Sequence, residues 1–363
     1  MMRRVLPALG LLTAAALIAG CAHYGPHTIS RDGFDYNRAI VDASNQQLLL
    51  NLVRMRYNDP WLFLSVGSVV AQYEVKGSAD VAPVFGNGAG LTGAAADVGV
   101  GYSERPTISY TPITGSDFAK DMLTPVRPEI LFLLSNMGWE IKSLLVSCVD
   151  GINGLKNARG GPTWMFAPNA GSFSEFLETM QVLQRADAYS VRVVKEEKEQ
   201  WRVTFELLEP KTDDVRRAQD RFRQLLGLDP KGTVFSIHSG IPPAAPDEIK
   251  VQTRSLLGVY YFFAQLVEVP EEDVAAHRVL VTKNADGSRY DWSQLVGKLF
   301  KVRSQKDEPP DAFIKVRHRG SWFYIADDDP FSKQTYALLN TMTLLQATSS
   351  KGASPLLTIS AGP

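Results

Sequence analysis

The sequence predicts an α+β protein. An N-terminal amphipathic helix, a long β-hairpin and short helices come first, and a mixed α/β domain with antiparallel hairpins and helices on one face follows. Three observations lead there. Apolar residues recur at helical spacing between Asn37 and Tyr57. Apolar and polar residues alternate along two arms, 73–81 and 94–102. In the second half, two pairs of strand-like runs are each followed by a helical run. The 363 residues, 45% hydrophobic and 21% charged, exclude collagen-like and wholly disordered chains. Lys plus Arg number 38 against 39 Asp plus Glu, with no basic block, so nucleic acid is not expected as a partner.

The chain opens on Met1-Met2-Arg3-Arg4, an apolar run from Val5 to Ile18, and Ala19-Gly20-Cys21. A short basic start, about fourteen apolar residues and a small-residue exit describe a secretory signal peptide over residues 1–20. The run is shorter than the ~20 residues of a membrane-spanning helix, and Pro7 and Gly10 interrupt it. Leu17-Ile18-Ala19-Gly20-Cys21 resembles the lipobox of bacterial lipoproteins. The resemblance implies a Cys21 that is acylated and becomes the new N-terminus. Membrane lipid is then its first partner. Ala22 stands where Asp is associated with inner-membrane retention, which implies the outer membrane, with the body facing the periplasm. With Cys21 acylated, Cys148 is left as a lone thiol, and its place in the apolar run Ile141–Val149 predicts burial without reactivity.

Residues 21–35, with Gly25, Pro26 and Gly33, read as a tether. Ile40, Ala43, Leu48, Leu49, Leu52, Val53 and Met55 line one stripe of the helix that follows, and Asn58-Asp59-Pro60 stops it. Short helices are expected at 115–123, 128–136 and 140–150. The glycines and asparagines of 151–161 mark a domain boundary between 36–150 and 162–363. Beyond it the pattern gives a helix at 173–186, a hairpin of 189–194 with 201–208, a helix at 213–226, strands at 233–238 and 249–251, and an aromatic helix at 254–267. A second hairpin, 313–317 with 321–325, precedes a helix at 331–346 and a strand at 356–359. Hairpin-then-helix thus occurs twice, which is compatible with two related halves.

Chemistry-bearing patterns are sparse. His238, His277 and His318 stand far from one another and from Cys, and His23 and His27 flank the tether, where metal binding would be weak and incidental, so no metal site is expected. No Gly-x-Ser-x-Gly elbow occurs. Asp327-Asp328-Asp329-Pro330 lacks the ligand spacing of a calcium loop and stands before a helix, where an acid caps free amides. Gly88-Ala89-Gly90-Leu91-Thr92-Gly93 matches a dinucleotide fingerprint literally, but an alternating, glycine-bearing run follows it in place of a helix. No cofactor and no catalytic residue is therefore expected, and the chain reads as a non-enzyme. A lipid-anchored enzyme with a dispersed active site is the rival class, because triads need not be local in sequence.

The extended region, about 62–111, is the most informative. Tyr73, Val75, Gly77, Ala79 and Val81 alternate with Glu74, Lys76, Ser78 and Asp80, and on the return Ala94, Ala96, Val98, Val100 and Tyr102 alternate with Ala95, Asp97, Gly99 and Gly101. Pairing Tyr73 with Tyr102 and Val81 with Ala94 gathers the apolar residues on one face, with 82–93 as the tip. An ordinary hairpin, its apolar face on a water-soluble core, accounts for this alternation. A transmembrane strand pair accounts for it too. Tyr73, Val75, Val98, Val100 and Tyr102 would then face lipid and Glu74, Lys76 and Asp97 a water-filled lumen. One hairpin cannot close a barrel, so that case requires a homo-oligomer, similar in plan to curli-type secretion channels.

The stretches Asn45–Arg54 and Arg319–Ile325 resemble parts of proteobacterial lipoproteins that carry no established activity. The expected function is that of an outer-membrane-anchored envelope interaction or scaffold component with protein partners. A pore subunit is the alternative.

Overall fold

The structure is a computed structural model that describes residues 24–85, 91–113, 115–162, 167–195 and 201–347. The expected signal peptide, Cys21 and the expected strand 356–359 lie outside them. Contacts divide the described chain into two units, residues 64–113 and the remainder. Among the described residues, ten helices, a six-stranded mixed sheet and a three-stranded antiparallel sheet place the protein in the α+β class, as expected.

In the larger unit, α1 runs from Tyr24 to Arg56. The expected tether is therefore helical from residue 24, because Gly25 and Pro26 fall in the first turn, where proline's missing N–H costs nothing. The expected stripe is buried only at its C-terminal end. Leu48, Leu49, Leu52 and Val53 are buried, whereas Ala43 is exposed. Phe34 stands 76% exposed. Asn58, at φ 56°, turns the chain out of the helix.

Helices α2 (Ser116–Leu123), α3 (Pro128–Asn136) and α4 (Ile141–Cys148) follow at the expected places. The expected boundary at 151–161 is instead a hairpin within the fold. Strand β3 (Val149–Ile152) turns through Asn153 (φ 43°) and Gly154 (φ 92°) into β4 (Leu155–Lys156). Asn-Gly with two positive φ values suits a two-residue turn whose twist matches the strands. The Asn153 amide donates to the Leu226 and Glu248 carbonyls and accepts from the Lys250 amide at 2.7 Å, which ties the turn to the sheet.

That sheet has the order β4-β3-β8-β7-β6-β5, with β5 (Tyr189–Lys195), β6 (Trp201–Leu207), β7 (Val234–Ser239) and β8 (Glu248–Thr253). It departs from the antiparallel expectation at one place, since β7 and β8 run parallel. The intervening 240–247, without helix or strand, is long enough to run back past a six-residue strand. Helices α5 (Gly171–Arg185) and α6 (Asp213–Leu226) pack by aromatic contact: Phe205 of β6 stacks on Phe222 of α6 at 5.0 Å, and Phe176 of α5 lies 6.1 Å from Phe222.

Helix α7 (Leu256–Ala264) buries Tyr260, Phe262 and Phe263 completely. The short helices α8 (Glu271–Ala275) and α9 (Ser293–Val296) lead to the second sheet, β10 (Ala312–His318), β11 (Ser321–Ala326) and β9 (Arg303–Gln305) in that order. The two hairpin-helix segments thus fall in different sheets. Helix α10 (Pro330–Ala347) closes the unit. Asp329 caps it, accepting from the Ser332 amide at 3.0 Å and hydroxyl at 2.7 Å, which is the role expected of the acidic run.

Arg254 pins several of these elements. Its guanidinium donates to Asp150 (2.9 Å), to the Val146 and Ser147 carbonyls and to the Ala158 carbonyl, and lies 4.2 Å over the Phe262 ring.

Candidate functional site

The smaller unit is a two-stranded antiparallel ribbon of β1 (Leu64–Phe85) and β2 (Leu91–Pro112). Each strand has 22 residues, about 70 Å at ~3.3 Å per residue, where strands of globular proteins typically have five or six. Among the described residues each strand of this sheet pairs only with the other, so both are edge strands. Residues 86–90 lie outside the described residues, and with them Gly88 and Gly90 of the literal dinucleotide fingerprint.

The register corrects the expected one by two residues. Tyr73 pairs with Glu104, Val75 with Tyr102, Gly77 with Val100, Ala79 with Val98 and Val81 with Ala96. A two-residue shift keeps every residue on its face, because strand side chains repeat with period two. The tip shortens accordingly, since Ala82, Pro83 and Val84 pair with Ala95, Ala94 and Gly93.

The longer strands extend the pattern. One face holds Val69, Ala71, Tyr73, Val75, Gly77, Ala79, Val81 and Pro83, opposite Ile108, Pro106, Glu104, Tyr102, Val100, Val98, Ala96 and Ala94. Glu104 is its single charged position. The other face takes Gln72, Glu74, Lys76, Ser78 and Asp80 opposite Arg105, Ser103, Gly101, Gly99 and Asp97. The membrane-facing candidates thus share one face and the lumen-facing candidates the other. Tyr73, Tyr102 and Glu104 mark one end of an uncharged stretch, and Phe85 marks the other. From the level of Tyr102 to Phe85 is ten residues, about 33 Å of strand. A tilt of about 40° reduces that to about 25 Å, the height of an outer-membrane apolar band.

In the larger unit, a polar cluster unforeseen from the sequence surrounds the end of α1. Asp59 accepts from Nη2 and Nε of Arg319, at 2.7 and 3.1 Å, and lies 2.9 Å from His318 Nε2. The bonds from Arg319 hold the Asp59 carboxyl below the usual range, while burial holds the His318 imidazole low. The Tyr57 ring meets His318 edge-on at 5.3 Å, and its hydroxyl donates to Asp273 at 2.5 Å, which also receives Arg278. Burial and the Asp273 bond push the Tyr57 hydroxyl up. Asp59 and His318 form an acid–imidazole pair, and the hydroxyl of the adjoining Tyr57 is committed to Asp273. The turn that presents His318 is Arg319-Gly320, with φ 48° and 84°. His238 and His277 are exposed. No group of three or more metal-ligating side chains gathers among the described residues.

Cys148 is buried, 3.6 Å from Met342 Sδ, and burial pushes its thiol up to about 12. The expected burial of this thiol is what the structure contains.

Among the described residues no helix is long and apolar enough to cross a membrane. No family model, curated protein or solved structure matches the chain.

Proposed function

We propose that this chain is a lipoprotein of the outer membrane, held through acylated Cys21 with its body on the periplasmic side, and that copies of it join through the 64–112 ribbon into a closed β-barrel. The barrel would serve as an export pore, and the proposal gives the chain no catalytic role. The carrying observation is the ribbon itself: 22-residue strands, one face uncharged over about 25 Å of barrel height, and two open edges. Open edges are untenable in lipid, whereas neighbouring copies supply the missing hydrogen bonds in a ring. The part of the ribbon nearer Leu64 and Pro112, with Glu104 and Arg105, would continue the barrel outside the bilayer. A broader role as an envelope interaction or scaffold component includes this one, and the strand length is what favours the narrower form.

The decisive experiment is mass measurement of the mature protein extracted in detergent, followed by planar-bilayer recording. A mass several times that of one mature chain, with stepwise conductance, is expected. A monodisperse monomer in both buffer and detergent, without conductance, overturns the pore. Fatty-acid labelling tests the anchor separately, since wild type should incorporate label and Cys21→Ser should not.

A further inference from the structure

Two clefts open in the larger unit, and their polar groups differ in one respect. In the smaller, about 380 Å³, Glu140 accepts from Ser143 and Gln181, and Lys142 pairs with Glu178. In the larger, about 710 Å³, two lining side chains are incomplete. Arg56 is 6% exposed, and its Nη1 donates to the Leu280 carbonyl at 2.7 Å, while its buried Nε has no partner. Thr282 is 3% exposed, and its hydroxyl also lacks one. These are the two buried side chains with unpartnered atoms among the described residues, and both line one cleft.

The surrounding acids do not answer Arg56. Glu271 pairs with Arg289 at 3.1 Å, Glu268 with Lys301 at 3.6 Å, and Asp291 accepts from the Ser293 amide and hydroxyl. Burial and the nearby Arg289 guanidinium lower the Arg56 pKa to about 10. A buried guanidinium with no carboxylate, beside a second cation, is a costly arrangement that an incoming anion relieves. A guanidinium edge offers parallel donors suited to a planar or tetrahedral oxyanion, and a hydroxyl adds a further donor. Tyr290 and Trp292, edge to face at 5.4 Å, also line the cleft, which is much roomier than a bare ion needs.

We propose that this cleft is a binding site for a small ligand bearing an oxyanion, a carboxylate or phosphate, with Arg56 and Thr282 as its donors and the Tyr290–Trp292 pair beside the ligand body. The site lies within the larger unit and is independent of the barrel.

The test is calorimetric titration of the full mature protein with inorganic phosphate, glucuronate and neutral glucose at constant ionic strength. Saturable binding of phosphate or glucuronate, absent for glucose, is expected, and preference for glucuronate identifies a ligand with a ring body. Arg56→Met should weaken that binding at least about tenfold while unfolding no earlier than wild type in ligand-free buffer, because it removes an unpaired buried charge. Thr282→Val, of similar shape, gives a second readout should Arg56→Met not fold, and should weaken binding severalfold. No saturable binding of either anion to wild type, or undiminished binding by the folded variants, overturns the site.

Discussion

Asp80 stands directly across the ribbon from Asp97. Like charges at directly opposed positions destabilise a strand pair, so this juxtaposition suits a face bathed in water and counterions. In a ring of copies it would become a belt of carboxylates around the lumen. Asp80→Asn with Asp97→Asn should therefore lower the cation preference of the reconstituted pore without abolishing conductance. Unchanged reversal potentials in a salt gradient would remove both residues from the lumen.

Val98 pairs with Ala79 at the middle of the uncharged stretch. Val98→Lys should cost about 2–4 kcal/mol per subunit at the bilayer midplane and strip oligomer from the detergent extract. Gly99→Lys, one residue along on the opposite face, should be tolerated far better. Equal loss for the two contradicts the facing assigned here.

Acid should loosen the larger unit in two stages. His318 has a lowered folded pKa, so the unfolded chain binds the proton first and stability falls as pH drops below about 6.5. Asp59 is also lowered, so its contribution is complete above about pH 4 and is lost as pH falls through its folded value. His318→Asn should flatten the first stage, and urea midpoints between pH 7 and 5 would show it.

Arg254 is 4% exposed and its bonds reach Asp150 and three carbonyls around α4 and β3. Arg254→Ala leaves those carbonyls without their donor and should cost about 3–5 kcal/mol in chemical denaturation. A loss under 1 kcal/mol would show that water replaces the guanidinium.

Cys148 should stay unmodified by a water-soluble thiol reagent in the native protein at pH 8 and react on unfolding. Its thiol is buried and titrates only near 12. Rapid native labelling would mean that α10, which brings Met342 over it, opens readily.

The amino-acid sequence by itself determines the α+β class, most helix positions, the second hairpin and which residues of 73–81 and 94–102 share a face. Each depends on local periodicity or capping, as with Pro128 opening α3, Asp329 capping α10 and alternation along 73–81. Periodicity of two leaves strand register open to shifts of two, so Tyr73 facing Tyr102 and Tyr73 facing Glu104 are equivalent until pairing continues toward the turn. The Asn153-Gly154 turn is legible in the dipeptide, yet a glycine-rich linker and a tight hairpin share that composition, and only pairing of β3 with β8 separates them. Nothing local specifies the parallel β7–β8 pair. The union of Asp59 with His318 and Arg319, 259 and 260 residues away, and the gathering of Arg56 and Thr282 on one cleft also arise only from tertiary packing. Such sites join residues from opposite ends of the chain, where no spacing rule applies.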